Sequence, residues 1–484
     1  MSKLDSLNSW HADWSNTKVV VFGLGVSGFS VADTLVELGA QVIVLADKAE
    51  ADLINVLDVL EVKSYIGNTV AENKATIDHF EPDVLITSPG IRPNNELIVF
   101  AETKGIAIWT DIDLAWRVRD KFNKPAEWIC ITGTNGKTTV TQLVEAMLLA
   151  AGVRASACGN IGVPILDAIR HPAEFEALVV ELSSFQLHYI NHIEPLVSAV
   201  LNIADDHLDW HGSFENYSSD KGKVYNNTKV ACIYNALDSK TSELLAKSVN
   251  TDSAQAVGFT VMTPTPNELG WVEDILVDRA FVEKADVAEE IATISDLVNI
   301  PVISPHLLAN VAAASAIARG AGVQPDEIRS ALRVFKLDAH RIELVLDKDG
   351  VRWIDDSKAT NPHAADAALA SFDSVVWVVG GLLKGVDISD LVKKHAEKLK
   401  AALVIGLDRE PVLAALREFA PATELIEISA EPESVMTEVI AKARELVSEG
   451  DVVLLAPAAA SMDQFVDYAD RGNAFARAVL EETK

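Results

Sequence analysis

With 484 residues the chain exceeds what one hydrophobic core supports, and three domains of ordinary size are expected. Hydrophobic residues make up 49% and mean hydropathy is +0.18, which excludes a disordered chain. A net charge of −30 and a pI near 4.7 exclude the broad basic surface that nucleic acid requires, so any anion must be met by local Lys, Arg and helix N-termini.

Residues Met1–Asn16 carry acids and tryptophans with no apolar core segment, so no signal peptide is expected. No apolar run reaches the roughly 18 residues of a spanning helix, and a cytoplasmic protein without a membrane span is the expectation. Cys130, Cys158 and Cys232 have neither metal nor redox spacing and are expected to be reduced thiols.

The first domain opens with an apolar strand from Lys18 that stops at Gly23-Leu-Gly25-Val26-Ser27-Gly28. A helical stretch to Leu38 follows, then a strand from Gln41 that leads to Asp47. This is G-x-G-x-x-G in a βαβ setting with an acid about 20 residues on, a Rossmann-like dinucleotide fingerprint. The same turn would cradle any pyrophosphate, and Asp47 could equally be a solvated loop acid. A further strand, from Asp83, runs into a tight turn at Ser88-Pro89-Gly90. Polar residues from Lys121 to Pro125 suit a linker.

The second domain starts with Trp128–Ile131, Thr132-Gly133-Thr134-Asn135-Gly136-Lys137-Thr138-Thr139, and helix-forming sequence to Leu148. A strand, a Gly-rich turn and a helix N-terminus aim backbone N–H groups at one point, where phosphate oxygens can sit. Lys137 offers a charge for the β/γ-phosphates and Thr138 a hydroxyl for Mg²⁺. Ile131 stands where the usual phosphate loop has its first glycine, so the letters alone leave the site open. The strand before and the helix after favour ATP. Glu181 ends a buried strand, where a carboxylate can hold Mg²⁺ or merely cap a turn. Leu196–Ile203 delivers Asp205-Asp206-His207-Leu208-Asp209-Trp210-His211, whose two His and three Asp suggest metal against a solvated loop. Lys221 and Lys223 follow on a predicted helix. From about Asn250 to Ile300 a hairpin excursion is expected, and an Ala-rich helix from His306 through Asn310 to Arg319 is expected to stop at Gly320.

The third domain follows His340-Arg341. Strands at Val351–Ile354, Val375–Val379, Leu403–Ile405 and Val452–Leu455 alternate with helical stretches, as in a mostly parallel sheet. Asp356-Ser357-Lys358, Gly380–Gly385 and Ala456–Phe465 would all lie at carboxyl ends of strands, where such sheets carry their chemistry.

Together, Thr132–Thr139, Glu181-Leu-Ser-Ser-Phe-Gln186, Asp206-His207-Leu-Asp209, Lys221, His306…Asn310 and His340-Arg341 resemble the Mur ligases, ATP-dependent amide ligases of bacterial cell-wall precursor synthesis. The resemblance covers nearly the whole chain. Within the family, Asp356–Asn361 and Ser461–Phe465…Arg471-Gly472-Asn473 are similar to the branch that adds D-glutamate to UDP-N-acetylmuramoyl-L-alanine.

The resemblance implies an α/β chain of three domains. These are a Rossmann-like UDP-substrate domain in residues 1–122, a central P-loop-type ATPase sheet in 123–338, and a C-terminal Rossmann-like amino-acid domain in 339–484. It implies ATP, two Mg²⁺ ions and a carbamylated lysine formed from CO₂, in a monomer. ATP contacts would come from Gly133, Thr134, Asn135, Gly136, Lys137, Thr138, Thr139, Asn310, Arg341 and Asp356. Lys137, Glu181, His207 and Lys221 would be catalytic, and Thr138, Glu181, His207 and carbamylated Lys221 would serve the metals. The UDP-substrate would meet Val26, Ser27, Asp47, Lys48, Gly90, Asn160 and His207. D-Glutamate would meet Lys358, Thr360, Lys384, Ser461, Met462 and Tyr468. Leu307, Leu382-Leu383, Tyr468 and Ala49 depart from the family's usual residues. The competing readings are a ligase of the same family with another amino acid, a nicotinamide oxidoreductase built on Gly23–Asp47, and a nucleotide-sensing module without turnover.

Overall fold

The computed structural model describes residues 3–122, 124–251, 253–284, 287–429, 431 and 434–482. Asn123, inside the predicted linker, lies outside the described residues. Three sheets carry the chain, in two compact units. One unit comprises residues 1–296 with 310–332, and the other 297–309 with 333–484.

In the first unit, β1 (Lys18–Phe22), β2 (Gln41–Ala46), β3 (Lys63–Ile66), β4 (Val84–Thr87) and β5 (Ala107–Trp109) form a parallel sheet in the order β3-β2-β1-β4-β5. Val19, Val20 and Val21 are all buried, because helices cover both faces of such a sheet. The order reverses between β1 and β4, and the crevice at that point lies at the carboxyl ends of the strands. Gly28 cannot be replaced there: a Cβ would fall 2.0 Å from the Gly23 carbonyl oxygen.

The central sheet contains β6 (Glu127–Thr132), β7 (Ala155–Gly159), β8 (Ala177–Glu181), β9 (Val197–Val200), β10 (Ala231–Asn235), β11 (Gln255–Phe259), β12 (Glu268–Val272), β13 (Ile275–Asp278) and β14 (Glu289–Thr293). Its order is β14-β13-β12-β11-β10-β9-β6-β8-β7. The expected hairpin excursion is the antiparallel β12–β13–β14, which extends the parallel sheet instead of leaving it. The first and central sheets share a continuous buried core. Ser30 donates to Asp167 at 2.7 Å and Arg170 pairs with Asp33 at 2.6 Å across them.

The Ala-rich helix spans Pro305–Gly320. Gly320 is its last residue, packed toward Val197 and Ala231, and the left-handed residue after it is Gly322 at φ +95°. The stop is thus one turn's fraction later than the sequence suggests: Gly320 serves close packing and Gly322 the reversal.

In the second unit, β15 (Glu343–Lys348), β16 (Val351–Asp355), β17 (Val375–Gly380), β18 (Leu399–Ile405), β19 (Glu424–Glu427) and β20 (Val452–Leu455) form the order β15-β16-β20-β17-β18-β19. Only β15 runs antiparallel. The edge strands β15 and β19 escape sequence reading because half their residues are polar and none is buried. All three cysteines are buried and free. No described helix is long and apolar enough to cross a membrane.

Candidate active site

The phosphate loop joins β6 to the helix Lys137–Ala150. Gly133 (φ +154°) and Gly136 (φ +84°) hold backbone conformations that side chains disfavour. A Cβ on Gly136 would meet the Asn310 side-chain oxygen at 2.5 Å, which places Asn310 directly against the loop. Not every loop N–H points at a ligand. Those of Thr134 and Asn135 donate to the Asn202 backbone oxygen (2.9 Å) and side-chain oxygen (2.8 Å), while Asn202 Nδ2 donates to Asn135 O at 3.0 Å. Thr134 Oγ1 also lies 2.9 Å from the Tyr217 hydroxyl. Asn202 and Tyr217 therefore brace the loop, and Thr138 and Thr139 follow in the first turn of the helix, a position suited to an anion.

Lys137 Nζ donates to Gly133 O at 3.0 Å and Thr134 O at 2.8 Å. Lys221 Nζ, on the helix Phe214–Gly222, donates to the same Gly133 O at 2.8 Å and to Thr132 Oγ1 at 3.3 Å. Lys221 is buried, and desolvation, reinforced by the Lys137 charge, holds its pKa well below the usual lysine value. Lys223, three residues off Asp220, is paired with it at 2.8 Å and bonded to His188 O at 2.6 Å.

Glu181 ends β8, 1% exposed. Its Oε1 accepts from Asn160 Nδ2 at 2.9 Å, and its Oε2 is buried without a hydrogen-bond partner. A buried carboxylate oxygen in that state is suited to a cation. His207 sits at φ +51° ahead of the short helix Leu208–His211, with Nε2 3.5 Å from Asp206 Oδ2 and its ring 4.8 Å from that of Phe185. Burial lowers the His207 pKa, with Lys221 and Lys137 acting in the same direction and Asp206 against, so the neutral imidazole that binds metal is favoured. The other loop residues divide their work. Asp209 pairs with Arg92, and His211 is turned into a buried network with Asp220 and Ser184.

In the first sheet, Val26 and Ser27 begin the helix Val26–Glu37, Asp47 and Lys48 follow β2, and Gly90 follows β4. All lie at carboxyl ends of strands beside the switch point. Trp210 Nε1 donates to Gly90 O at 3.4 Å, so this loop touches the segment that carries His207.

In the second unit, the loops after β16, β20 and β17 follow three adjacent strands. They carry Lys358 and Thr360, Ser461 and Met462, and Lys384, respectively. Lys358 Nζ lies 5.2 Å from the Tyr468 ring centre. Ser461 is buried, Met462 and Lys384 are exposed, and Lys384 adopts φ +54°. Asp356 is buried, accepts the Ile342 N–H at 3.2 Å, and has its pKa pushed up to about 7 by burial, against the pull of Arg341. Arg341 Nε is buried with no hydrogen-bond partner.

Arg471 received no role from sequence reasoning, yet it ties this rim together. It is wholly buried and donates to Ser357 Oγ (3.0 Å), Ser357 O (2.9 Å) and Ala459 O (3.1 Å). Burial lowers its pKa to about 10, so it remains a cation. His340 Nδ1 lies 2.6 Å from Asp355 Oδ2, beside Gly472. The only sequence signal for Arg471 was its place in the Arg471-Gly472-Asn473 motif.

Three family models match: the Mur ligase MurD-like N-terminal domain over residues 17–110, the Mur ligase middle domain over 131–318, and the Mur ligase glutamate ligase domain over 340–459. The chain is 51% identical to the UDP-N-acetylmuramoylalanine–D-glutamate ligase of Leifsonia xyli, covering 99% of this chain and 95% of that one. It is 45% identical to the protein of the same name from Streptomyces coelicolor, covering 97% and 99%. Among solved structures, UDP-N-acetylmuramate–alanine ligase from Thermotoga maritima matches with a TM-score of 0.56 at 21% identity, covering 97% of this chain and 100% of that one, a likeness of fold.

Proposed function

Because the chain belongs to the Mur ligase family of ATP-dependent amide ligases, we propose that it joins D-glutamate to UDP-N-acetylmuramoyl-L-alanine in peptidoglycan precursor synthesis. The observation that carries this reading is the full-length likeness to two ligases named for that substrate pair. The domain limits proposed are 1–122, 123–338 and 339–484, in a cytoplasmic monomer, since ATP and nucleotide-linked precursors are supplied in the cytoplasm.

A carboxylate oxygen of the muramoyl-alanine attacks the γ-phosphorus of ATP, forming an O–P bond as the bond to ADP breaks. The D-glutamate amine then attacks the acyl carbon; a C–N bond forms, phosphate leaves with the C–O electron pair, and the amine gives up a proton. Little covalent work falls to the protein, which positions three anionic partners and offsets their charge. Lys137, now held by two loop carbonyls, turns to the β/γ-phosphates, and Thr134, Asn135, Gly136, Thr138 and Thr139 shape the cradle. Asn310 lies against that cradle and serves the base, while Arg341 serves the phosphates and Asp356 the ribose.

Thr138, Glu181, His207 and, once carbamylated, Lys221 fit magnesium, the orphaned Glu181 Oε2 being the observation in its favour. Bound Mg²⁺ would neutralise charge on the phosphates and on the attacking carboxylate. The neutral Lys221 amine adds to CO₂, forming an N–C bond and releasing one proton to water. The resulting anion stands near the Lys137 charge, which supports metal binding. Val26, Ser27, Asp47, Lys48, Gly90 and Asn160 receive the UDP-substrate. Lys358, Thr360, Lys384, Ser461, Met462 and Tyr468 receive D-glutamate, with the lysines on its carboxylates.

ADP release by the full chain, measured with each substrate omitted in turn, tests this. Release sustained over many turnovers should require UDP-N-acetylmuramoyl-L-alanine and D-glutamate together, the former alone giving at most one ADP per enzyme. Equal release with L-alanine or a diamino acid would reassign the chain within the family, and no release with any amino acid would overturn the reading. Family membership leaves the nicotinamide oxidoreductase reading without an observation in its favour.

A further inference from the structure

Behind the proposed metal residues lies a second polar cluster that the reaction does not use. Asp220 Oδ2 lies 2.8 Å from His188 Nδ1 and 3.0 Å from His211 Nδ1, and Asp220 Oδ1 lies 2.8 Å from Lys223 Nζ. Lys223 Nζ also donates to His188 O at 2.6 Å, and His211 Nε2 lies 3.0 Å from Ser184 Oγ. With Nδ1–H given to Asp220, His211 Nε2 accepts from the Ser184 hydroxyl, so a neutral imidazole satisfies both sides. His211 and Asp220 are buried, and His188 is partly exposed.

The cluster draws on three chain segments, each adjoining a different site residue. Ser184 and His188 belong to the helix Ser184–Tyr189, which begins three residues after Glu181. His211 closes the single turn whose first carbonyl is that of His207, at 3.1 Å. Asp220 immediately precedes Lys221 on the helix Phe214–Gly222. We infer that His188, His211, Asp220 and Lys223 form a positioning clamp that holds Glu181, His207 and Lys221 in one frame, an inference that rests on the reading of those three as metal and carbamate residues.

The three ligand-type atoms are close enough together to surround an ion. Both Asp220 oxygens, however, are already engaged by two imidazoles and an ammonium, and the ammonium opposes a cation. Hydrogen bonding satisfies the cluster as it stands. Polar groups behind a metal ligand set its orientation, and their loss costs about 10–100-fold in affinity or activity.

The test compares the full-length wild type with Asp220→Ala and Asp220→Asn. ¹³C-labelled bicarbonate and NMR report the lysine carbamate, and a bicarbonate titration of activity gives the midpoint. The clamp predicts that Asp220→Ala needs roughly tenfold or more bicarbonate for its carbamate signal and loses kcat by a similar factor. The KM for D-glutamate should stay within about twofold, because no clamp residue is among those assigned to D-glutamate, and Asp220→Asn should recover part of the loss. If Asp220→Ala does not fold, His188→Ala, which removes the partly exposed member, carries the same comparison. A normal wild-type carbamate signal with an unchanged midpoint in the variant overturns the clamp alone. A wild type with no carbamate signal removes the Lys221 reading and the clamp with it. Stoichiometric zinc held by the wild type and lost in Asp220→Ala overturns the clamp in favour of a metal site.

Discussion

The side-chain nitrogens of Lys137 and Lys221 donate to one carbonyl oxygen, that of Gly133, at 3.0 and 2.8 Å. Their nitrogens therefore lie within about 6 Å of each other, and the Lys137 charge disfavours a proton on Lys221. A phosphate beside them, or a carbamate on Lys221, offsets the Lys137 charge. The buried Lys221 is the one whose pKa is held well down, which leaves its amine free to react. Lys221→Ala should be nearly inactive and partly restored by small carboxylic acids. Activity assays with added acetate or formate check this; wild-type turnover in the folded variant would refute it.

Lys384 stands on the loop after β17, with Lys358 and Ser461 on loops of the two neighbouring strands. D-Glutamate brings two carboxylates to a chain of strongly negative net charge, so its affinity depends on such local cations. Lys384→Ala should raise the KM for D-glutamate by at least about tenfold, the cost of one charge-assisted hydrogen bond, with ATP affinity little changed. Steady-state kinetics in both substrates decide it, and an unaltered D-glutamate KM would remove Lys384 from the pocket.

Asp356 has a folded pKa near 7 against an ordinary carboxylate value of 3.8. The folded chain thus keeps a proton that the unfolded chain gives up between those values. Stability from this group is complete below about pH 4 and is lost as pH rises through about 7. Asp356→Asn cannot ionise, so its thermal midpoint relative to the wild type should climb from pH 4 to pH 8. The ionisation cost removed is at most about 4 kcal/mol. The same offset at both pH values would show that Asp356 ionises without cost.

Gly472 lies on the helix Tyr468–Glu482 against the His340–Asp355 pair. A methyl group there would come 2.3 Å from His340 Nδ1 and 2.7 Å from Asp355 Oδ2, neither of which is the free end of a flexible chain. Gly472→Ala should destabilise the fold by about 1–3 kcal/mol. It should also weaken ATP-analogue binding, because His340 precedes Arg341. Urea unfolding and nucleotide titration give the two readouts, and an unchanged unfolding midpoint would mean that the helix shifts freely.

Some of this protein was legible from residues alone because it is local. A β-branched run ending at Gly-x-Gly-x-x-Gly or at Gly-Lys-Thr specifies a strand, a turn and a helix N-terminus within a dozen residues. Side-chain period and backbone freedom act over that range. The buried strands β6, β8, β17 and β20 and the positions of Lys137, Glu181 and Lys221 on their elements were readable for this reason. Edge strands β15 and β19 were not, since their polar residues carry no periodic signal.

What remained hidden depends on residues far apart in sequence meeting in space. Nothing near Asn135 indicates that Asn202, 67 residues on, will take its N–H. Nor does Arg471 signal that it will hold Ser357, 114 residues away. The Asp205–His211 segment offers two histidines to a metal, and composition cannot choose between them. Tertiary packing turns His211 onto Asp220 and Ser184 and leaves His207 within the electrostatic reach of Lys221 and Lys137. The placement of His211 belongs to the tertiary structure, because a buried polar group goes where its partners are, and those partners come from other helices.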